Sequence, residues 1–465
     1  MRYKKYSLYL LAAALVVGGC KKQLDQNDPE SISEANAFQT LEHVQLGVNG
    51  AFGRYGVYAS DMYANALVSD EAKLGADNAG QGALEFRYQY SSDATTGGSV
   101  TGMYFPYYSL IDQINRVLPH VYTVTAPVSD NPRRDILKGH LLALRALGHF
   151  GVLQAYCKNY DPSGVGVPVM TSSNPLAIPA RNTMGEVMQQ IETDLNDAKA
   201  LLPAVTPATF SDTVMNKVNI AAYQARIALY KRDYAAAITY ASEVINSNVK
   251  PLVTGTAFSG IWTDANSNET LFRIRYATGT TIGGLWTTTG NLIYIAPSDK
   301  LVATYAAGDI RKAAFIGTNA GGNNYVNKFY ISSRGGRIVD MKACRIAEMY
   351  LIRAEANAKK ASPDVAAGAA DLNALRTQRI TGYVNQTFAT AADLITAVLD
   401  ERFKELCFEG FRFYDLRRNN LPVQRNASDS SPAWQTLPTS SYRFVFPIPD
   451  AEMLANPNMK QNEGY

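Results

Sequence analysis

The stretch KVNIAAYQARIALYKRDYAAAITYASEVIN (217–246) reads as two helices and a turn. Ala222, Ala225 and Ala228 recur at helical spacing and leave room for a close partner. Arg232-Asp233 then turns the chain, and Tyr234, Ala237, Ile238, Ala241 and Val244 continue the apolar stripe. Two short antiparallel helices with alanines at their contact make a tetratricopeptide-like unit. Ala343 to Lys360 followed by Val365 to Arg376 has the same layout. The helices over Asp135–Tyr156 and from Thr183 to about Leu202 make an earlier pair with a long insertion. Thr183 is the expected N-cap of the latter, with Glu186 at capping-box spacing. The repeat is degenerate, so shape is expected here rather than a strict period. Further helices are expected over 37–55, Tyr104–Leu118 and Ala391–Glu409.

Two regions break the helical pattern. Gly, Ala, Asp, Asn, Ser and Thr dominate residues 74–102, around a piece from Leu84 to Tyr90 that alternates as a strand would. In 252–340, strand-like pieces (Thr270 to Tyr276, Ile293 to Ile295, Tyr325 to Tyr330) alternate with Gly- and Thr-rich loops. Loops of this length in a compact domain are usually functional or mobile.

The N-terminus carries Arg2, Lys4 and Lys5, an apolar run Leu8–Val17 of about ten residues, then Gly18-Gly19 and Cys20. That run is too short to span ~30 Å of hydrocarbon as a helix. Basic, apolar and small segments in that order make an export signal, residues 1–19. The cysteine at the cleavage point predicts acylation of Cys20. Each buried methylene of such an anchor contributes roughly 0.8 kcal/mol to membrane binding. Residues 20–35 are polar and read as a tether, leaving 36–465 as one domain. Its scaffold is expected mainly in 135–250 and 341–410, and its ligand loops at about 58–108 and 255–340.

Loss of Arg2, Lys4 and Lys5 with the signal leaves basic and acidic residues balanced at 41 each, from 44 and 41 in the whole chain. No electrostatic footprint for nucleic acid results. No zinc cluster, phosphate loop, nucleotide fingerprint or calcium loop is legible, so no metal or cofactor is expected. His140 and His149 ride an apolar helix as core histidines. Cys157, Cys344 and Cys407 are read as small buried residues, with an oxidised pair left open. Glu401, Glu405 and Glu409 recur every fourth residue, as a solvated or arginine-paired face does. The adjacent Asp70-Glu71 suits a catalytic dyad poorly, because neighbouring side chains point apart.

Aromatic rings are the remaining chemical signal: 28 tyrosines and 3 tryptophans, many in the loops. A flat ring with a polar edge stacks on the apolar face of a sugar and adds roughly 0.5–1.5 kcal/mol beyond area. Trp286 lies in GGLWTTTG (283–290), where the glycines leave little local bulk to bury it. Trp286, Tyr63 and Tyr294 are the expected stacking rings. Asp77, Asn78 and Arg337 are the expected hydrogen-bonding partners.

Three further runs carry a resemblance: RIAEMYLIRAEA (345–356), ERFKELCFEGFRFYDLRR (401–418) and FPIPDAEMLANPNMKQNEGY (446–465). With CKKQLDQNDPE (20–30) at the start, they resemble the signatures of the SusD/RagB family of outer-membrane nutrient-binding lipoproteins, in order along the mature chain. The resemblance implies a mainly α fold of tetratricopeptide-like helix pairs in a right-handed scaffold, with long loops and a few short strands or hairpins packed on it. It implies a non-enzymatic, lipid-anchored protein at the outer membrane, facing the cell exterior. Such a protein presents glycans, or in some members peptides, to a SusC-like TonB-dependent transporter. A surface glycosidase is the less favoured alternative. The signatures themselves look structural. Glu405, Glu409, Arg412 and Arg417 are expected to pair at a corner ended by Gly410, and Pro447 and Pro449 to stiffen the tail.

Overall fold

Helices account for most of the computed structural model, which describes residues 37–276, 282–288 and 290–465. Cys20, the signal segment and the tether lie outside the described residues. The main helices are α1 (Leu41–Arg54), α2 (Tyr58–Val68), α3 (Tyr104–Val117), α4 (Asn131–Tyr156), α5 (Met184–Leu201) and α6 (Lys217–Lys231). They continue as α7 (Tyr234–Ser247), α8 (Ile346–Lys359), α9 (Val365–Arg379), α10 (Ala391–Glu405) and α11 (Arg412–Arg418). Their starts follow local chemistry. Thr183 accepts from the Glu186 amide while Glu186 reaches back to the Thr183 amide, closing the capping box expected for α5. Asn216 and Asn219 do the same at α6, and Thr390 and Asp393 at α10. Each such cap contributes roughly 1 kcal/mol.

Consecutive helices pack as antiparallel pairs: α4 on α5, α6 on α7, α8 on α9. Neighbouring pairs meet through α7 on α8 and α5 on α6. The alanine stripe is why α6 and α7 fit closely: Ala222, Ala225, Ala237 and Ala241 are all sealed from solvent. Helix α4 is the central rod, and from Gly139 to Val152 every residue is buried. Within it, His149 takes a hydrogen bond from the Met170 amide at 3.1 Å and bonds the Arg145 carbonyl. Cys157, Cys344 and Cys407 are buried free thiols.

Short antiparallel ribbons attach the loops to this scaffold. β1 (Ala72–Leu74) pairs with β3 (Ile295–Pro297) and β2 (Thr270–Ile274) with β8 (Met341–Arg345). The hairpins are β4 (Ile316–Thr318) with β5 (Asn324–Val326), and β6 (Ile331–Ser332) with β7 (Gly335–Gly336). The strand expected over 84–90 is not there: Ala83–Phe86 is one helical turn. Glu85 accepts from the Ser99 amide at 2.7 Å, and Arg425 draws in the Phe86 carbonyl at 2.6 Å. Tyr88 then enters the left-handed region at φ 56°, which no strand tolerates. Tertiary bonds override the local alternation.

The 401–418 signature folds differently from expectation. Its glutamates are the arginine-paired case, fully buried. Glu405 meets Arg345 at 2.9 Å, Arg379 at 3.0 Å and Arg311 at 3.2 Å. Glu409 meets Arg345 at 2.8 Å and Lys328 at 2.7 Å, and Glu401 meets Arg311 and Arg376. Arg412 pairs instead with Asp70, and Arg417 holds the Gln154 and Phe444 carbonyls. Helix α10 ends at Glu405 rather than Glu409. Lys328 takes up the Glu405 and Cys407 carbonyls released there, and Gly410 turns the chain at φ 87°. This charge knot ties α9, α10 and β8 to Glu269 and Arg311.

Candidate functional site

The two loop regions, far apart in sequence, are joined by the β1–β3 ribbon and its continuation. The Gly75 amide donates to the Tyr294 carbonyl at 2.8 Å, and the Ile293 amide to Asp77 Oδ2 at 2.8 Å. Asn78 Nδ2 donates to the Tyr294 carbonyl at 2.9 Å. Residues 286–288 and 290–294 pair as a tight hairpin: the Thr288 amide donates to the Leu292 carbonyl, the Tyr294 amide to the Trp286 carbonyl. Asn291 turns it at φ 66°. Arg337 clamps the hairpin, with Nε to the Thr287 carbonyl at 3.2 Å and Nη2 to the Thr288 carbonyl at 2.6 Å and Asn291 Oδ1 at 2.7 Å. The structure therefore gathers Tyr63, Asp77, Asn78, Trp286, Tyr294 and Arg337 around one hairpin.

Their roles differ from those expected. Trp286 is only 1% exposed and offers no face to a ligand. The bulk that buries it comes from outside its glycine-rich neighbourhood. Phe329 stacks at 6.1 Å, and Phe408 and Tyr63 meet it edge-on at 5.3 and 5.5 Å. Asp77 and Asn78 bind the hairpin backbone. Tyr63 and Tyr294 are half-buried. Burial and then Glu85 push the Tyr63 phenol above its usual range, so it stays a neutral hydrogen-bonding group.

Two rings missed from sequence stand beside the hairpin. Tyr325 on β5 and Tyr330 after it lie with ring centres 4.3 Å apart, tilted 37°, both half-buried. Tyr325 folds over Gly317, its cross-strand partner, where a Cβ would fall 2.1 Å from the ring. The Arg337 guanidinium sits 4.0 Å from the Tyr330 ring centre. The Tyr330 hydroxyl donates to Asn291 Oδ1 at 2.9 Å. Ile331 (51% exposed) follows Tyr330 in the chain, Leu292 (47% exposed) follows Asn291 on the hairpin, and Asn323 and Asn324 precede Tyr325. The available signal was the run NAGGNNYVN (319–327), where a ring sits among amides and glycines. Rings edged by amides and hydroxyls can stack on a sugar and bond its hydroxyls.

A sequence profile of the SusD family matches residues 275–465, and one described as starch-binding, associating with outer membrane, matches residues 22–229. The chain belongs to the SusD/RagB family. A SusD-like protein of Formosa agariphila is 23% identical over 99% of this SusD/RagB chain and all of its own length. The fold matches a solved SusD superfamily protein of Bacteroides vulgatus with a TM-score of 0.80, at 24% identity, over 92% of this chain and 100% of that one. A SusD-like carbohydrate binding protein of the same organism superposes with a TM-score of 0.77, at 23% identity, over 91% and 98% of the two chains.

This SusD-family chain also has cavities of about 390 and 500 Å³ beside its C-terminal tail, sharing Lys158, Asn159, Asn462 and Glu463. Their polar groups hold the tail itself: Asn462 donates to the Tyr156 and Phe446 carbonyls, and Arg181 to the Lys460 carbonyl. The hairpin face is the stronger candidate, because there rings, amides and an incompletely bonded guanidinium converge. Among the described residues, no group of three or more His, Cys, Asp or Glu could hold a metal ion.

Proposed function

We propose that this SusD-family protein captures oligo- or polysaccharide at the hairpin face and passes it to a SusC-like TonB-dependent transporter. It performs no catalysis, works as one domain over residues 36–465, and is held by acylated Cys20 at the outer membrane, facing outward. The observation that carries glycan binding is the Tyr325–Tyr330 ring pair, with Asn291 bonded to Tyr330 and Asn324 beside Tyr325 in the chain, on loops that the β1–β3 ribbon holds together. The family's starch-binding, outer-membrane description supports the same reading. Asp70 and Glu71 are fully buried, which supports binding without hydrolysis by that pair.

The test is a side-by-side array of oligosaccharides and peptides on the purified protein, followed by titration of Tyr330→Ala. Saccharide binding that weakens about three- to tenfold in the variant is the expected outcome, from one lost ring contact of roughly 0.5–1.5 kcal/mol. Retention of peptides alone, or a saccharide affinity indifferent to both Tyr325 and Tyr330, would sink the proposal. Lipid labelling of the chain should vanish in Cys20→Ala.

A further inference from the structure

We infer that the sugar bound at the hairpin face carries an anionic substituent, a carboxylate or a sulfate ester, that meets Nη1 of Arg337. This rests on the glycan-binding reading above.

Arg337 is 5% exposed, so its charge is largely removed from water. A buried charge normally has a counter-charge, because desolvation without one is costly. Three other arginines packed among these loops obey that rule, whereas Arg425, 4% exposed, gives all three of its nitrogens to carbonyls. Arg273 pairs with Asp212 and Asp340, Arg311 with Asp309 and Glu401, and Arg334 with Asp264 and Asp340. Arg337 has no carboxylate within 4.0 Å among the described residues; its partners are two carbonyls and an amide oxygen. These occupy Nε and Nη2 only. Nη1 has no partner among the described residues, yet it is not one of the side-chain atoms sealed from solvent. The guanidinium is therefore fixed on one side and open at a single nitrogen.

The fixing is firm. Arg337 sits in the left-handed region at φ 66°, a conformation that persists in a non-glycine residue only where its surroundings over-determine it. Tyr330 covers one guanidinium face, and Asn291, itself at φ 66°, accepts from both Arg337 and Tyr330. An anion at Nη1 would supply the missing counter-charge through a charge-assisted bond, roughly twice as strong as a neutral one. Asp77 holds the other side of the same hairpin through the Ile293 amide and has no cationic partner among the described residues. It disfavours the reversed sugar and accepts hydroxyls instead, so the two charges orient the ligand.

Two pairs of probes differ only in charge: an oligogalacturonate with its methyl ester, and a sulfated carrageenan oligosaccharide with its desulfated form. Isothermal titration of the full protein with each pair separates carboxylate from sulfate as the source of the anion. The acidic member of one pair should bind about tenfold tighter in ~20 mM salt, and that preference should shrink in ~500 mM salt as the charge is screened. Arg337→Met should abolish the preference and Arg337→Lys should keep part of it. If Arg337→Met does not fold, the paired affinities of the parent protein and their salt dependence decide alone. A neutral member bound as well as its acidic twin overturns this inference and leaves glycan binding standing. So does an acidic preference that survives Arg337→Met, or silence from both pairs when other saccharides on the array bind. Retention of peptides alone removes the glycan reading and this inference with it.

Discussion

The charge knot under 401–418 and the hairpin face use the same side chains to opposite ends. In the knot, Arg311, Arg345 and Arg379 are at most 1% exposed and each meets a carboxylate. The charges close on one another, and nothing is left for a ligand. At the face, Arg337 is nearly as buried, yet it meets only neutral oxygens and keeps one nitrogen open. Burial alone therefore does not separate structural from functional arginines in this protein. Among the described residues, Arg337 is set apart by having neither a carboxylate nor a partner on its solvent-reachable Nη1.

The strongest way to break that contrast is at the knot. Glu405→Ala removes the carboxylate that three guanidiniums share, leaving each with fewer counter-charges, and should cost roughly 3–5 kcal/mol in urea unfolding, since removing one partner of a buried pair leaves uncompensated charge. A cost under about 1 kcal/mol would show that water or rearrangement neutralises the knot. Trp286→Ala should come next, at about 3 kcal/mol, because a sealed ring leaves a cavity behind. Lost glycan affinity without lost stability would return Trp286 to the ligand surface.

Glu71 lies between the two regions, immediately before β1. Burial lifts its carboxyl to about 8; the nearby Phe408 amide pulls it down without reaching hydrogen-bond geometry, and neither carboxyl oxygen has a partner. The folded state therefore holds a proton that the unfolded chain releases near pH 4.5. Its stabilising contribution is full below that pH and is lost as pH rises through 8. Between pH ~6.5 and ~8.5 the protein should lose roughly 2 kcal/mol, at about 1.4 kcal/mol per unit. Glu71→Gln should flatten that slope. An unchanged slope in the variant would assign it to another group. The buried His140 and His149, held near 4 and 3 chiefly by desolvation, act on the other limb and remove stability as pH falls below 6.5.

The smallest stability effect should come from Tyr325→Ala, under about 1 kcal/mol, since a half-exposed ring outside the core leaves little cavity. Its glycan affinity should nevertheless fall several-fold. A variant that melts early but binds normally would mark Tyr325 as a brace for the β4–β5 hairpin.

How much was legible follows from how local each signal is. The alanine stripe of α6 and α7 and the Thr183–Glu186 box act within a few residues, and they stand where their spacing puts them. The 84–90 segment misleads because Arg425 and Ser99 draw it into a turn from far along the chain. Trp286 misleads for a related reason: GGLWTTTG contains nothing to cover a ring, and the cover arrives from Phe329, Phe408 and Tyr63. Tyr325 and Tyr330 were hidden inside a strand-like piece, and nothing local says that Arg337 slides beneath one of them.

Composition and periodicity alone determined a helix-pair scaffold with two interrupting loop regions, because helical spacing and capping are written in neighbouring residues. Which rings face water, which arginines lack a counter-charge, and that residues 77 and 293 touch were decided only in three dimensions. Those properties depend on what packs against a side chain, and its packing partners here lie dozens to hundreds of positions away.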